Sequence, residues 1–243
     1  MRPDTWHLFI DPGILRFFAE GLMWTVLLSI TSIALSFAVG LLFALGRLST
    51  RAWLRWPSIA YVEGVLAVPV LLLIVYFSIK GSSLFQPFFG EDFDLPRFWA
   101  GVLGLSMYTS AIIAEILRAG ILALPRGQSE AARALGLSYP RTMRFVVLPQ
   151  ALRAMVPALM AQLTTIIKDT SLVGTIGFFE LYRSARIIYT QNFNPIEALG
   201  FISIIYFVIC FTLSQLSRRL ELGQAPKDVR AKLAEIQLRD QVA

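Results

Sequence analysis

Residues 128–149 read Gln-Ser-Glu-Ala-Ala-Arg-Ala-Leu-Gly-Leu-Ser-Tyr-Pro-Arg-Thr-Met-Arg-Phe-Val-Val-Leu-Pro. This stretch is a polar, arginine-bearing interlude between two apolar runs, and it carries its own helix punctuation. The Ser129 hydroxyl can accept a bond from a free amide of a first turn, so Ser129 is expected to cap a short helix over residues 130–135. Gly136 can take the left-handed backbone that ends it. Ser138 repeats the start signal with Pro140 just inside it, where a missing N–H costs nothing, which predicts a second short helix over 139–147. Leu148-Pro149 then opens the next apolar run.

The rest of the chain explains what flanks this loop. With 56% hydrophobic and 16% charged residues and a mean hydropathy of +0.64, the chain is too apolar for a soluble domain of ordinary composition. Four stretches lack charge over nearly the ~20 residues that cross hydrocarbon, namely 21–46, 64–79, 98–114 and 198–217. A further span over 148–167 holds Arg153 in its first two turns, where a long side chain can reach the interface. The fold class is therefore an all-α integral membrane protein with five transmembrane helices. Residues 1–20 precede the membrane domain of 21–220, and residues 221–243 follow it. Pro12-Gly13 is expected to break any long helix in the first segment. Residues 227–243 are expected to form a short exposed helix entered by Pro226.

Charge sets the orientation. Arg47, Arg51 and Arg55 follow the first span with no acid among them, while Glu91, Asp92 and Asp94 stand after the second beside Lys80 and Arg97. Arginine returns after the third span and again at Arg218 and Arg219. The positive-inside rule then puts the N-terminus outside, the C-terminus inside, and the helices between spans three and four in the cytoplasm. Arg183 and Arg186 run against the rule unless their loop folds back over the pore mouth. Basic residues distributed by loop fit anionic lipid and a cytoplasmic partner; the net charge of +6 does not point to nucleic acid. Cys210 is the single cysteine and His7 the single histidine, so neither an intrachain disulfide nor a cysteine–histidine metal cluster is available. No Gly-rich stretch is followed by Lys-Ser or Lys-Thr, so a phosphate cradle for ATP is missing.

Glu130-Ala131-Ala132, Gly136 after three further residues, Val146 after nine more, and Leu148-Pro149 together resemble the coupling loop of ATP-binding-cassette importer permeases. The flanks Arg126-Gly127-Gln128 and Lys168-Asp169-Thr170-Ser171-Leu172 narrow the resemblance to the polar amino-acid uptake branch, over roughly residues 21–220. The resemblance implies a multi-pass permease of the bacterial inner membrane, not an enzyme and with no cofactor of its own. Its implied partners are a cytoplasmic ATPase dimer that hydrolyses ATP on a separate chain, a second permease subunit and an extracytoplasmic amino-acid-binding protein. Glu130, Ala131, Ala132, Gly136, Leu148 and Pro149 would be the ATPase-coupling residues.

The substrate-path candidates are Pro69, Tyr108, Glu115, Lys168, Asp169, Thr170 and Ser171. Pro69 interrupts the second span, as a path-lining broken helix or as a tolerated kink. Glu115 stands three residues before Arg118 on one helical face, a spacing for an ion pair at a helix end or, less simply, for substrate contact. Lys168 and Asp169 supply the donor and acceptor an amino-acid zwitterion needs, or else an interfacial pair. The glycines at 174 and 177 permit an unwound backbone after them. Three positions depart from the family: Leu66 and Val68 stand where an arginine and a threonine usually fall, and Tyr108 where asparagine is frequent. That departure favours pairing with an unlike permease. Competing readings are an ion-gradient-driven secondary transporter, which needs internal repeats and a buried coupling carboxylate, and a membrane anchor for another protein.

Overall fold

The computed structural model describes residues 6–224, all helical apart from turns and connections. Five helices are long and apolar enough to cross a membrane among the described residues. The helix expected over 227–243 lies outside them.

A short 3-10 turn, Trp6–Ile10, leads into α1, Pro12–Arg47. Pro12-Gly13 starts this helix rather than breaking it. Pro12 needs no N–H at the first helical position, and Asp11 adopts extended backbone while its Oδ1 accepts from the amides of Gly13 at 2.8 Å and Ile14 at 3.2 Å. The second span is broken at Pro69, one of the two readings of that proline, and it starts later than residue 64: α2 covers Ala52–Leu66 and α3 covers Val70–Phe89, with Pro69 at the α3 N-cap. Proline disfavours helical backbone in the residue before it; here α2 closes with Ala67 N–H donating to Glu63 O, and α3 opens with Leu72 N–H donating to Pro69 O.

The third span, α4 (Arg97–Leu122), is the centre of the bundle, packed by α1, α2, α3 and α7. Small residues permit this. Gly21, Thr25, Ser29, Ser32, Ser36, Gly40 and Ala44 form a buried stripe at near four-residue spacing along α1, which brings backbones close where lipid offers no hydrophobic drive. A Cβ on Gly40 would stand 2.8 Å from Ser110 O, and one on Gly104 would stand 2.6 Å from the Cα of Ile74. Across the same seam Ser106 Oγ donates to Ser32 O at 3.1 Å. After α4 come α5 (Arg126–Ala134) and α6 (Tyr139–Thr142), then α7 (Leu148–Val173), which passes through a 3-10 turn at Gly174–Ile176. The backbone unwinds only at Gly177 (φ +86°), three residues later than Gly174 suggested. The last helices are α8 (Leu181–Asn192) and α9 (Pro195–Gln224).

The antiparallel spans sort the connections to two ends. At one end the start of α1 meets α8, and Ser82 on α3 bonds Asp94 before α4. At the other end Arg47, Glu63 and Glu115 meet, beside α5 and α6. The amphipathic α8, which carries Arg183 and Arg186, packs on α1 and α9 with Leu181, Ser184, Ala185 and Ile188 buried.

Candidate functional site

The loop between the third and fourth spans is built as two helical pieces around one glycine. Gly136 has φ +83°, and its amide donates to Arg133 O at 2.9 Å while Leu137 N–H donates to Ala132 O at 3.2 Å. This paired closure satisfies carbonyls left open at the end of α5 and requires the left-handed residue. The start of α5 is four residues earlier than the Ser129 signal indicates. Pro125, in extended backbone, is the N-cap, so Ser129 lies inside the helix and Glu130 beyond its first turn. Ala132 is buried against the following segment, whereas Glu130, Ala131 and Leu135 are exposed, Leu135 at 85%.

Ser138 begins the next piece as expected, with extended backbone and Thr142 N–H donating to its carbonyl at 2.9 Å. That piece does not end before the fourth span. It continues through a π-helical turn, Met143–Val147, into α7. Pro149 explains the wide turn: it has no N–H and its ring would strike the carbonyl four residues back in a regular helix. The turn is closed instead by Leu148 N–H donating to Met143 O. Leu148 and Pro149 therefore join loop and span rigidly.

Of the path candidates, Glu115 is gathered into a charge cluster. Arg118 donates to its Oε2 from Nε at 3.2 Å and Nη2 at 2.9 Å, and Arg47 of α1 meets its Oε1. Arg47 also lies 3.7 Å from Glu63 of α2, so three helices are tied at this end. Tyr108 packs, half-buried, against the apolar core around Ala111, Ile113 and Leu117. Pro69 is exposed at the α2–α3 elbow. The run from Lys168 to Ser171 is helical and its members diverge. Lys168 and Ser171 line a cavity of about 350 Å³ with Ser203, Tyr206 and Cys210 of α9, Asp169 is half-buried, and Thr170 is fully buried.

Glu180 is the residue that sequence reasoning missed. It is fully buried, and its carboxylate caps α8 by accepting from the amides of Tyr182 at 2.8 Å and Arg183 at 2.6 Å. Tyr206 of α9 donates to it at 3.4 Å, and Thr25 of α1 accepts from Leu181 N–H at 3.1 Å. Burial pushes the Glu180 carboxyl from 4.5 up to about 7, against the two amides, the Tyr206 hydroxyl and the Arg183 charge, which pull it down. A sequence signal existed: a lone carboxylate directly before an amphipathic run is an N-cap pattern.

Residues 12–222 match the family model for the binding-protein-dependent transport system inner membrane component. The glutamate transport system permease protein GluD of Corynebacterium glutamicum is 37% identical, covering 97% of this chain and 83% of that one. A probable glutamine ABC transporter permease protein, GlnM of Bacillus subtilis, is 32% identical, covering 84% of this chain and 93% of that one. Among solved structures, an amino acid ABC transporter described with histidines superposes with a TM-score of 0.79 at 32% identity, over 91% of this chain and 99% of that one. The MetNI methionine ABC transporter shares the fold, with a TM-score of 0.69 at 22% identity over 86% and 99% of the two chains.

Proposed function

The chain belongs to the binding-protein-dependent transport system inner membrane components, and on that premise we propose that it is the permease subunit of an ATP-driven importer of polar amino acids, coupled through residues 126–149. The arginine-rich end faces the cytoplasm of a bacterial inner membrane, and the N-terminus lies outside. A cytoplasmic ATPase dimer docks on α5 and α6, and an extracytoplasmic binding protein delivers substrate at the opposite end. One observation carries the coupling reading. The exposed face of Glu130, Ala131 and Leu135 is joined to a membrane span by a Gly136 closure and a continuous α6–π–α7 rod. A push on such a surface reaches α7 without being absorbed by a flexible loop.

Because Glu130 lies past the first turn of α5, the helix dipole lends it little. Its role is charge complementarity with a cationic group of the ATPase. Glu115 acts in this reading as a tie between helices at the cytoplasmic end, while Lys168 and Ser171, with Asp169 and Thr170 nearby, belong to the path at the outer half. With Leu66 and Val68 in place of polar side chains, the second permease is an unlike chain that supplies the missing groups.

The test is reconstitution of the purified complex with its ATPase and binding protein. Substrate-loaded binding protein should stimulate ATP hydrolysis. Gly136→Val, which forces a β-branched residue to positive φ, and Glu130→Lys should leave the subunit in the membrane but abolish that stimulation. Normal stimulation in both variants, or uptake driven by an ion gradient without any ATPase, would overturn the reading.

A further inference from the structure

A second cavity, of about 720 Å³, opens beside the coupling segment. Its size lies within the ~300–1,000 Å³ usual for small-ligand sites. One wall is apolar and comes from the membrane helices, with Leu42 and Leu45 of α1 and Leu148 of α7. The rim is cationic: Arg51, between α1 and α2, and Arg144, in the π turn, both line it. Neither arginine pairs with a carboxylate among the described residues. Beside the rim, Trp53 and Trp56 on the first turns of α2 are 67% and 62% exposed, with the Arg55 guanidinium 5.9 Å from the Trp56 ring. Exposed tryptophans next to arginines mark the headgroup level of a bilayer. Leu42, itself 67% exposed, lies on the acyl side of that level.

We propose that this cavity binds one anionic phospholipid, its phosphate held between Arg51 and Arg144 and the start of an acyl chain against Leu42, Leu45 and Leu148. The proposal rests on the reading that this end faces the cytoplasmic leaflet. An amphiphile fits better than a soluble anion because the arginines occupy only the rim, and the apolar wall runs on into the lipid-facing surface of α1. It fits better than a protein segment because Trp53 and Trp56 place the mouth in the headgroup layer, where a lipid phosphate is always present. The bound lipid would bridge the end of α1 and the coupling segment, making the joint between them sensitive to the anionic-lipid content of the membrane.

The test is native mass spectrometry of the purified transporter titrated with phosphatidylglycerol or phosphatidylcholine. Three variants accompany it: Arg51→Gln with Arg144→Gln; Thr50→Trp, which keeps both charges and fills the mouth; and Arg218→Gln with Arg219→Gln, which removes equal charge outside the cavity. The expected result is phosphatidylglycerol binding at least about tenfold weaker in the first two variants and unchanged in the third, with phosphatidylcholine binding weakly throughout. Should the double arginine variant fail to fold, Thr50→Trp decides. Equal binding of both lipids, or unchanged binding in Thr50→Trp, overturns the proposal. So does a Thr50→Cys variant, in a Cys210→Ala background, that cross-links to a protein subunit of the complex rather than to a photoreactive lipid. Stimulated ATP hydrolysis is measured on the same samples, so its loss alongside intact lipid binding counts against the transport reading alone.

Discussion

Two carboxylates hold opposite ends of this bundle together, and they are kept in the protein by different physics. Glu115 answers charge with charge: two arginines meet it, and all three groups retain some solvent, with side-chain exposures of 13% for Arg47, 32% for Glu115 and 33% for Arg118. Glu180 is fully buried, has no lysine or arginine within ion-pair distance among the described residues, and is held by two amides and a phenol. An ion cluster that keeps water costs little to maintain. Burial without an ion-pair partner pushes a carboxyl toward its protonated form, and Glu180 is poised to titrate near neutrality. One end is tied by a charge cluster and the other by a proton-dependent cap.

The largest effect that would sharpen this contrast is loss of the cap. Glu180→Ala leaves the amides of Tyr182 and Arg183 without their acceptor and empties a fully buried volume. It should lower stability in detergent by about 4 kcal/mol, read as a lower thermal unfolding midpoint or failure to accumulate. A decrease no larger than that from Glu115→Ala would show that Glu180 is incidental.

The second test is pH. Since the folded value of about 7 lies above the ordinary 4.5, the folded chain holds more protons than the unfolded chain between those values. Stability contributed by this group is therefore complete below about pH 4.5 and is lost as pH rises through about 7, by about 3 kcal/mol in all. Glu180→Gln keeps an amide acceptor and should flatten that part of the profile. A wild-type unfolding midpoint that rises from pH 5 to pH 8 with the same slope as the glutamine variant would break the assignment.

Third comes Glu115→Ala, which leaves Arg47, the least exposed member, with only the distant Glu63. A loss of about 2 kcal/mol is expected. High salt should reproduce part of it in the wild type, because exposed charges are screened and buried caps are not.

The sequence made one of these carboxylates visible and hid the other. Glu115 and Arg118 are three residues apart on one helix, a local spacing that can be read directly. The Glu180 site depends on Thr25, 156 residues before Leu181, and on Tyr206 from a third helix, so no local pattern could assemble it. The same rule governs the fold. Apolar length revealed five spans, and the φ of Gly136 followed from its position after a short polar helix. What failed was the reading of proline without its neighbours. Pro12 starts a helix because Asp11 caps it, whereas Pro69 does break its span and Leu148-Pro149 does open the next one, joined to the loop by a π turn that the sequence did not show. In the Lys168–Ser171 run, adjacency in sequence concealed divergence around the helix: Thr170 turns into the bundle while Lys168 and Ser171 face α9.

The smallest effect tests where the charge cluster ends. Glu63 is 68% exposed and its oxygen stands 3.7 Å from Arg47, beyond good hydrogen-bond distance. If Glu115 is the partner that fixes Arg47, Glu63→Gln should change stability by less than about 0.5 kcal/mol, the level of a solvent-screened pair. A double-mutant cycle between Glu63 and Arg47 should then show almost no coupling, while the cycle between Glu115 and Arg47 shows about 1–2 kcal/mol. Equal couplings would mean that α2 is tied into the cluster as firmly as α4. In that case the elbow at Pro69 is braced by charge from the Arg47 end, and the contrast with Glu180 becomes one between a three-helix ion network and a protonated cap.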